Sequence, residues 1–228
     1  TYLNSYVAHA AMETHSAVAA MENGRVTVWA STQTPFPLKS QVAQALKLAP
    51  EKVRVITPYL GGGFGGKSAN GQAIEAARLT MLAGVPVRVV WSREEEFFFD
   101  TFRPAAVITV KSGLDAAGAP VLWDYTVVGA GGGGSEHIYG IAHHRTLARG
   151  GWQANPPGLH PFAVGPWRAP AANSNVFARE SQIDVMAAKA GVDPVEFRLK
   201  HLADARMVRV LKAAADRFGW SPKAAPSG

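Results

Sequence analysis

Apolar and polar positions first organise around residues 16–30. An apolar stretch from Ala17 to Met21 meets the turn Glu22-Asn23-Gly24, and Val26, Val28 and Ala30 alternate outward from it, which predicts a β-hairpin. The period then lengthens: Leu38, Val42, Ala45 and Leu46 share one face of a short helix over residues 37–48. Val53-Arg54-Val55-Ile56-Thr57 reads as a strand, followed by a glycine loop at residues 61–67. An alanine-rich helix over 72–82 closes at Gly84, and residues 85–91 form another strand. Strand, loop, helix and strand make a βαβ-like unit.

Residues 107–112 and 121–129 predict a second hairpin around 115–118. From 129 to 173 the chain is dense in Gly, Pro and His and reads as irregular, with residues 131–134 and Ser135 as a native glycine loop. The last third is helical. Residues 174–190 carry Val176, Ile183, Met186, Ala187 and Ala190 on one face and stop at Gly191. Asp193-Pro194-Val195-Glu196 combines an N-cap, a first-turn proline and a capping-box acid. A final helix over 206–218 turns Val208, Leu211 and Ala215 inward and ends at Gly219. There are no internal repeats. The expected class is α+β, with mixed sheets and packed helices, divided into a hairpin and βαβ part at 1–130 and an irregular loop with C-terminal helices at 131–228.

Composition agrees with a buried core: 47% of the 228 residues are hydrophobic and 18% charged. The net charge is +6, but Lys and Arg are scattered and never run beyond two, which argues against a nucleic-acid-binding face. No apolar run approaches the roughly 20 residues of a membrane span. The opening Thr-Tyr-Leu-Asn has neither an initiator Met nor a basic signal region, so excision from a longer protein is expected. The absence of cysteine removes disulfides, Fe–S ligation, thiolate zinc sites and Cys nucleophiles, and fits cytoplasm or periplasm alike.

Residues 61–68 spell G-x-x-x-x-G-K-S between a strand and a helix, the pattern of a phosphate-binding loop. In that reading backbone N–H groups cradle a triphosphate, Lys67 reaches its oxygens and Ser68 holds Mg²⁺. Against it, no apolar strand ending in a metal-binding Asp follows; the nearest candidate, Phe97-Phe98-Phe99-Asp100, trails an acidic run. The other reading keeps the physics and changes the ligand. Five glycines around Phe64 allow unusual φ values and close backbone approach to a large planar or anionic group.

GGGFGGK resembles the glycine segment of the molybdenum hydroxylases, the xanthine dehydrogenase and aldehyde oxidase family. Met12-Glu13-Thr14-His15, residues 26–30 leading into Ser31-Thr32-Gln33, and the glycine segment follow one another in that family's order. Trp167-Arg168-Ala169-Pro170 with Phe177-Ala178-Arg179-Glu180 resembles its second cofactor segment. Together with Arg149-Gly150-Gly151-Trp152, this variant is most similar to large subunits of the isoquinoline 1-oxidoreductase type. The resemblance covers nearly the whole chain.

It implies an oxidoreductase fragment whose cofactor is a molybdopterin-type molybdenum group, with the cytosine dinucleotide form left open. Gln33 would hydrogen-bond a molybdenum oxo ligand. Gly63, Phe64, Gly65 and Gly66 would approach cofactor oxygens through their backbone, and the main chain of Arg168 would lie beside the metal centre. The protein supplies no metal ligand in such a site. The base glutamate of the family belongs to a segment downstream of Gly228, so the resemblance implies no catalytic residue here and an isolated chain that is inactive. Fe–S clusters would sit on a partner, a small [2Fe–2S] subunit, alongside the remainder of the molybdenum subunit. Position 68 is Ser where purine-oxidising relatives carry a substrate-binding glutamate, so Ser68 points to an aldehyde or N-heterocycle. A bacterial chain in the periplasm or cytoplasm is implied.

Simpler roles stand beside these. Gln33 could cap the turn before Pro35. His137, His143, His144 and His160 have no i, i+4 partners and read as loop histidines. Ser92 with Glu95 forms a capping box, making Glu94-Glu95-Glu96 a solvated helix start. Trp123, Trp152, Trp167 and Trp220 read as core or interface fillers. A phosphate-loop nucleotide binder and a non-catalytic interaction domain remain the alternatives.

Overall fold

The computed structural model describes residues 1–153 and 158–222. In chain order its strands are β1 (Tyr2–Asn4), β2 (Val7–Ala8), β3 (Ser16–Glu22), β4 (Arg25–Ala30), β5 (Val53–Ile56), β6 (Val87–Val90), β7 (Phe102–Arg103), β8 (Ala106–Leu114), β9 (Pro120–Val128) and β10 (His143–Arg149). The helices are α1 (Pro35–Leu46), α2 (Gly71–Ala83), α3 (Arg93–Phe99), α4 (Ala172–Ala190), α5 (Pro194–His201) and α6 (Ala205–Phe218). They form two compact units that interleave along the chain. One comprises Thr1–Ser5, Ala105–Gly151 and Ala171–Gly228, the other Tyr6–Pro104 and Trp152–Pro170. The division does not fall at residue 130, because β1 returns to pair antiparallel with β8 and so binds the N-terminus to the later segments.

In the unit that holds the glycine loop, the sheet order is β5-β4-β3-β6. Asn23 (φ 50°) and Gly24 (φ 69°) turn β3 into β4, the two positive-φ positions that a tight hairpin needs. β5 runs parallel to β4 and β6 antiparallel to β3. β5 and β6 therefore point the same way but sit at opposite edges, so the βαβ-like connection passes across the hairpin. The core joins Ala17, Ala19, Val26, Val28 and Val53 of the sheet to Leu38, Val42 and Leu46 of α1 and Ala73, Ala76 and Ala77 of α2. Alanine on the buried face of α2 lets its backbone approach the strands. The Thr80 hydroxyl donates to the Ala19 carbonyl at 3.0 Å and accepts from the Val87 N–H at 3.2 Å, tying helix to sheet. A two-stranded ribbon, β2 with β7, completes the unit's strands.

In the other unit the order is β1-β8-β9-β10, and α4 lays Ala178, Ile183, Met186 and Ala187 on Ile108, Trp123, Tyr125 and Val127. β10 lies where an irregular segment was expected. Its residues are mostly exposed and show no apolar alternation; the strand is defined by parallel pairing with β9 from His143 opposite Leu122 to Arg149 opposite Val128. Gly191 and Gly219 end α4 and α6 in the left-handed conformation, as the sequence predicts. Val208, Leu211 and Ala215 mark the inward side of α6 but are only half-buried.

Asn175 of α4 anchors the glycine tract. Its amide donates to the carbonyls of Gly131 and Gly133, each at 2.9 Å, and its Oδ1 accepts from the Tyr125 hydroxyl at 2.8 Å. Asn175→Ala is expected to lower stability by roughly 2–4 kcal/mol, because the buried Gly131 carbonyl and Tyr125 hydroxyl lose their bonds to the amide. Chemical denaturation checks this; a change under about 1 kcal/mol would remove the anchoring role.

Candidate functional site

The glycine loop passes through Gly62 (φ 96°), Phe64 (φ 55°) and Gly65 (φ 118°) before a single 3₁₀ turn, Gly66–Ser68. A left-handed conformation at an aromatic residue stores strain and has to be held. Here the Phe64 carbonyl accepts the Arg168 N–H at 2.8 Å, and the residue stays 44% exposed.

The reason for glycine differs from position to position. A Cβ on Gly63 would stand 2.5 Å from Oε1 of Gln33, and one on Gly66 would stand 2.7 Å from Oδ2 of Asp100 and 2.8 Å from the His9 ring. At Gly65 it would overlap the Pro166 carbonyl, and at Gly61 the Glu13 side chain. These glycines let the chain pack on itself, where the sequence suggested close approach to a ligand.

Gln33 is locked in orientation. Its Oε1 accepts the Gly65 N–H at 2.9 Å, and its own N–H donates to the Lys67 carbonyl at 2.7 Å. A backbone N–H can only donate, so the oxygen of the amide is fixed toward the loop and the NH₂ end is left as donor. That end and the Phe64 N–H have no partner among the described residues. The Gly65 N–H, expected to face a cofactor oxygen, is instead committed to Gln33. The turn before Pro35 is capped by Thr32, whose hydroxyl accepts the Thr34 N–H at 3.0 Å.

Lys67 contradicts the phosphate-loop reading. It is 0% exposed, and its Nζ donates to Oε2 of Glu13 at 2.7 Å. The same carboxylate oxygen accepts the Gly61 N–H at 2.8 Å, so Glu13 staples both ends of the loop. Burial alone would raise the Glu13 carboxyl, but Lys67 together with Gly61 and Ser16 holds it below the ordinary range. A lysine turned inward cannot meet a triphosphate, and Phe97-Phe98-Phe99 lies in α3, not in a strand.

Behind the loop lie groups that sequence reasoning missed. Nδ1 of His9 is 2.8 Å from Oδ2 of Asp100, and its Nε2 is 2.9 Å from the Pro166 carbonyl. His15 lies 3.5 Å from Glu96, which also pairs with Arg93 at 3.3 Å. Glu96 is thus buried, although the capping box of Ser92 and Glu95 forms as predicted and leaves Glu94 and Glu95 exposed. Asp100 caps the C-terminus of α3 in an extended conformation, one turn after Glu96.

Gln33, Gly63, Phe64, Gly65, Gly66 and Arg168 therefore come together within one unit. The exposed Arg168 contributes its backbone N–H to Phe64. Ser68 is half-buried at the loop's end; its carbonyl accepts from the Thr34 hydroxyl at 3.1 Å. No group of three or more His, Asp or Glu among the described residues could hold a metal ion directly. Two unpartnered N–H donor groups beside an exposed aromatic ring suit a ligand rich in acceptor oxygens, so the residues present fit an oxygen-bearing cofactor held through its own ligands.

Residues 1–150 match the family model of the molybdopterin cofactor-binding domain, and the chain belongs to that family. Among relatives, it is 31% identical to the aldehyde oxidoreductase molybdenum-binding protein PaoC of Escherichia coli (strain K12), over 100% of this chain and 33% of the relative. It is 30% identical to a nicotinate dehydrogenase component of Pseudomonas putida, over 99% of this chain and 20% of the relative. With the beta component of isoquinoline 1-oxidoreductase from Brevundimonas diminuta it shares 29% identity over 97% of this chain and 30% of the relative. It thus spans a third or less of each of these proteins. The fold matches that of quinoline 2-oxidoreductase from Pseudomonas putida 86, with a TM-score of 0.78 over 94% of this chain and 31% of that one, at 20% identity.

Proposed function

We propose that this chain forms one wall of the molybdenum-cofactor pocket in a larger hydroxylase that oxidises aldehydes or N-heterocycles at an electron-poor C–H. The carrying observation is the locked amide of Gln33, its NH₂ end left as donor beside the Phe64 N–H. Gln33 and the Phe64 N–H would donate to cofactor oxygens, Gly63 and Gly66 keep the loop close to its supports, and Arg168 fixes Phe64. Bound there, the cofactor supplies a two-electron oxidant for hydroxylation with oxygen from water. Ser68, lacking a carboxylate, turns no charge toward the substrate, and the names of the relatives include both aldehyde and N-heterocycle oxidoreductases. The remainder of the molybdenum subunit would provide the base, and a small [2Fe–2S] subunit would carry electrons away. No helix among the described residues is long and apolar enough to cross a membrane.

Gln33→Ala in the intact assembly tests this. The variant should lose roughly 1–3 kcal/mol of cofactor or transition-state interaction, a drop of about 5- to 150-fold in molybdenum retention or turnover, with a smaller loss of thermal stability from the missing Gly65 bond. Full molybdenum content and wild-type turnover would refute the role of Gln33 and with it the pocket.

A further inference from the structure

His9 is 7% exposed, and both ring nitrogens face acceptors. The Pro166 carbonyl can only accept, so Nε2 carries a proton. Asp100 receives the Thr101 N–H on Oδ1 at 2.7 Å, and its Oδ2 faces Nδ1 of His9. A neutral ring would set a lone pair against the carboxylate in a site closed to water. The bonded carbonyl of Pro166 is the atom that forbids a side chain at Gly65, and two residues further on the Arg168 N–H holds the carbonyl of Phe64.

From this geometry we infer that His9 is held as an imidazolium between Asp100 and Pro166, and that it is the positioning residue which fixes the segment around Arg168 against the glycine loop. The consequence for cofactor retention rests on the proposed function; the charge of the ring does not.

Burial alone would draw the proton affinity of His9 down. The hydrogen bonds to Asp100, Pro166 and the Thr101 backbone, with the Asp100 charge, outweigh it and leave the value above the usual 6.5. The other charged or titratable groups on the elements packed around the ring include Glu96 with His15 and Arg93, the Glu13–Lys67 pair, Arg103 over the Trp167 ring, Tyr6 with His160, and Arg168. A raised value in the folded state means that the clamp contributes fully below pH 6.5 and is lost as pH rises through the folded value.

Nitrogen-15 NMR of the histidine-labelled chain reads the ring directly. At pH 6.5, the ordinary histidine midpoint, both nitrogens of most His9 rings should show protonated shifts, and Asp100→Asn should lower the titration midpoint. A ring mostly in one neutral tautomer at pH 6.5 would overturn the inference without touching the cofactor reading. In the intact assembly, His9→Gln should weaken molybdenum retention roughly tenfold, and the unsubstituted assembly should retain less as pH rises. If Gln33→Ala depletes molybdenum but His9→Gln, folded, does not, the positioning role fails and the cofactor reading survives. If neither depletes it, both fail. Should His9→Gln not fold, the NMR titration of the unsubstituted chain still decides the charge.

Discussion

Gly65→Val should be the most damaging single change in the glycine loop, and Gly65→Ala nearly as severe. The backbone at Gly65 has φ 118°, where an L side chain costs roughly 1–3 kcal/mol. Added to this is direct overlap of the new Cβ with the Pro166 carbonyl, an atom held from the other side by His9 and so unable to withdraw cheaply. The sum is about 4 kcal/mol or more, in the range reached only by severe steric or burial defects. Gly84→Ala supplies the control. Gly84 also has positive φ, at 71°, but nothing lies within 4 Å of its added Cβ, so only the conformational cost of about 1 kcal/mol remains. Equilibrium unfolding of both variants separates the two contributions. Equal effects at the two positions would mean that the loop and residues 163–168 do not pack as described.

Lys67→Ala should cost about 3 kcal/mol, the lower end for breaking a buried ion pair. The lower end applies because Glu13 keeps 33% of its side chain exposed and can recover water when its partner is lost. Lys67→Met combined with Glu13→Gln should restore much of the stability, since both charges go together and the lysine's apolar stem is replaced in kind. The depressed Glu13 carboxyl predicts the acid limb. Its contribution is complete above the ordinary value of 4.5 and disappears as pH falls through the lower folded value, a loss that should shrink in the double variant. No Mg-ATP binding is expected by calorimetry in any of these proteins, because the lysine that a triphosphate requires is committed inside. A nucleotide dissociation constant in the micromolar range would reverse this assignment. Loss of activity in Lys67→Ala therefore cannot separate a nucleotide loop from a cofactor loop, since the substitution acts first on stability.

Several features were legible from sequence because their causes are local. The turn at Asn23-Gly24, the glycine stops at 84, 191 and 219, the Ser92–Glu95 capping box and the Ile183, Met186 and Ala187 part of the core face of α4 each depend on residues within a few positions of one another, whereas Val176, expected on that face, is exposed. The order of four separated motifs also carried the family, and the glycine segment marked where its site would lie.

Tertiary structure decided what those local signals left open. β10 is a strand because β9 offers a row of backbone partners, which a polar, exposed segment does not advertise. The sequence presented Lys67 as a cation after a glycine loop; Glu13, 54 positions away, turns it inward. His9 and Asp100 are 91 residues apart, and nothing in either neighbourhood announces that they share a dry contact behind Gly66. By itself the sequence determined which backbone conformations are accessible at each turn, cap and glycine. Which charges are desolvated, and which partner neutralises each, was set only when folding brought distant segments together, because the cost of burying a charge depends on its surroundings in space and not on its neighbours in the chain.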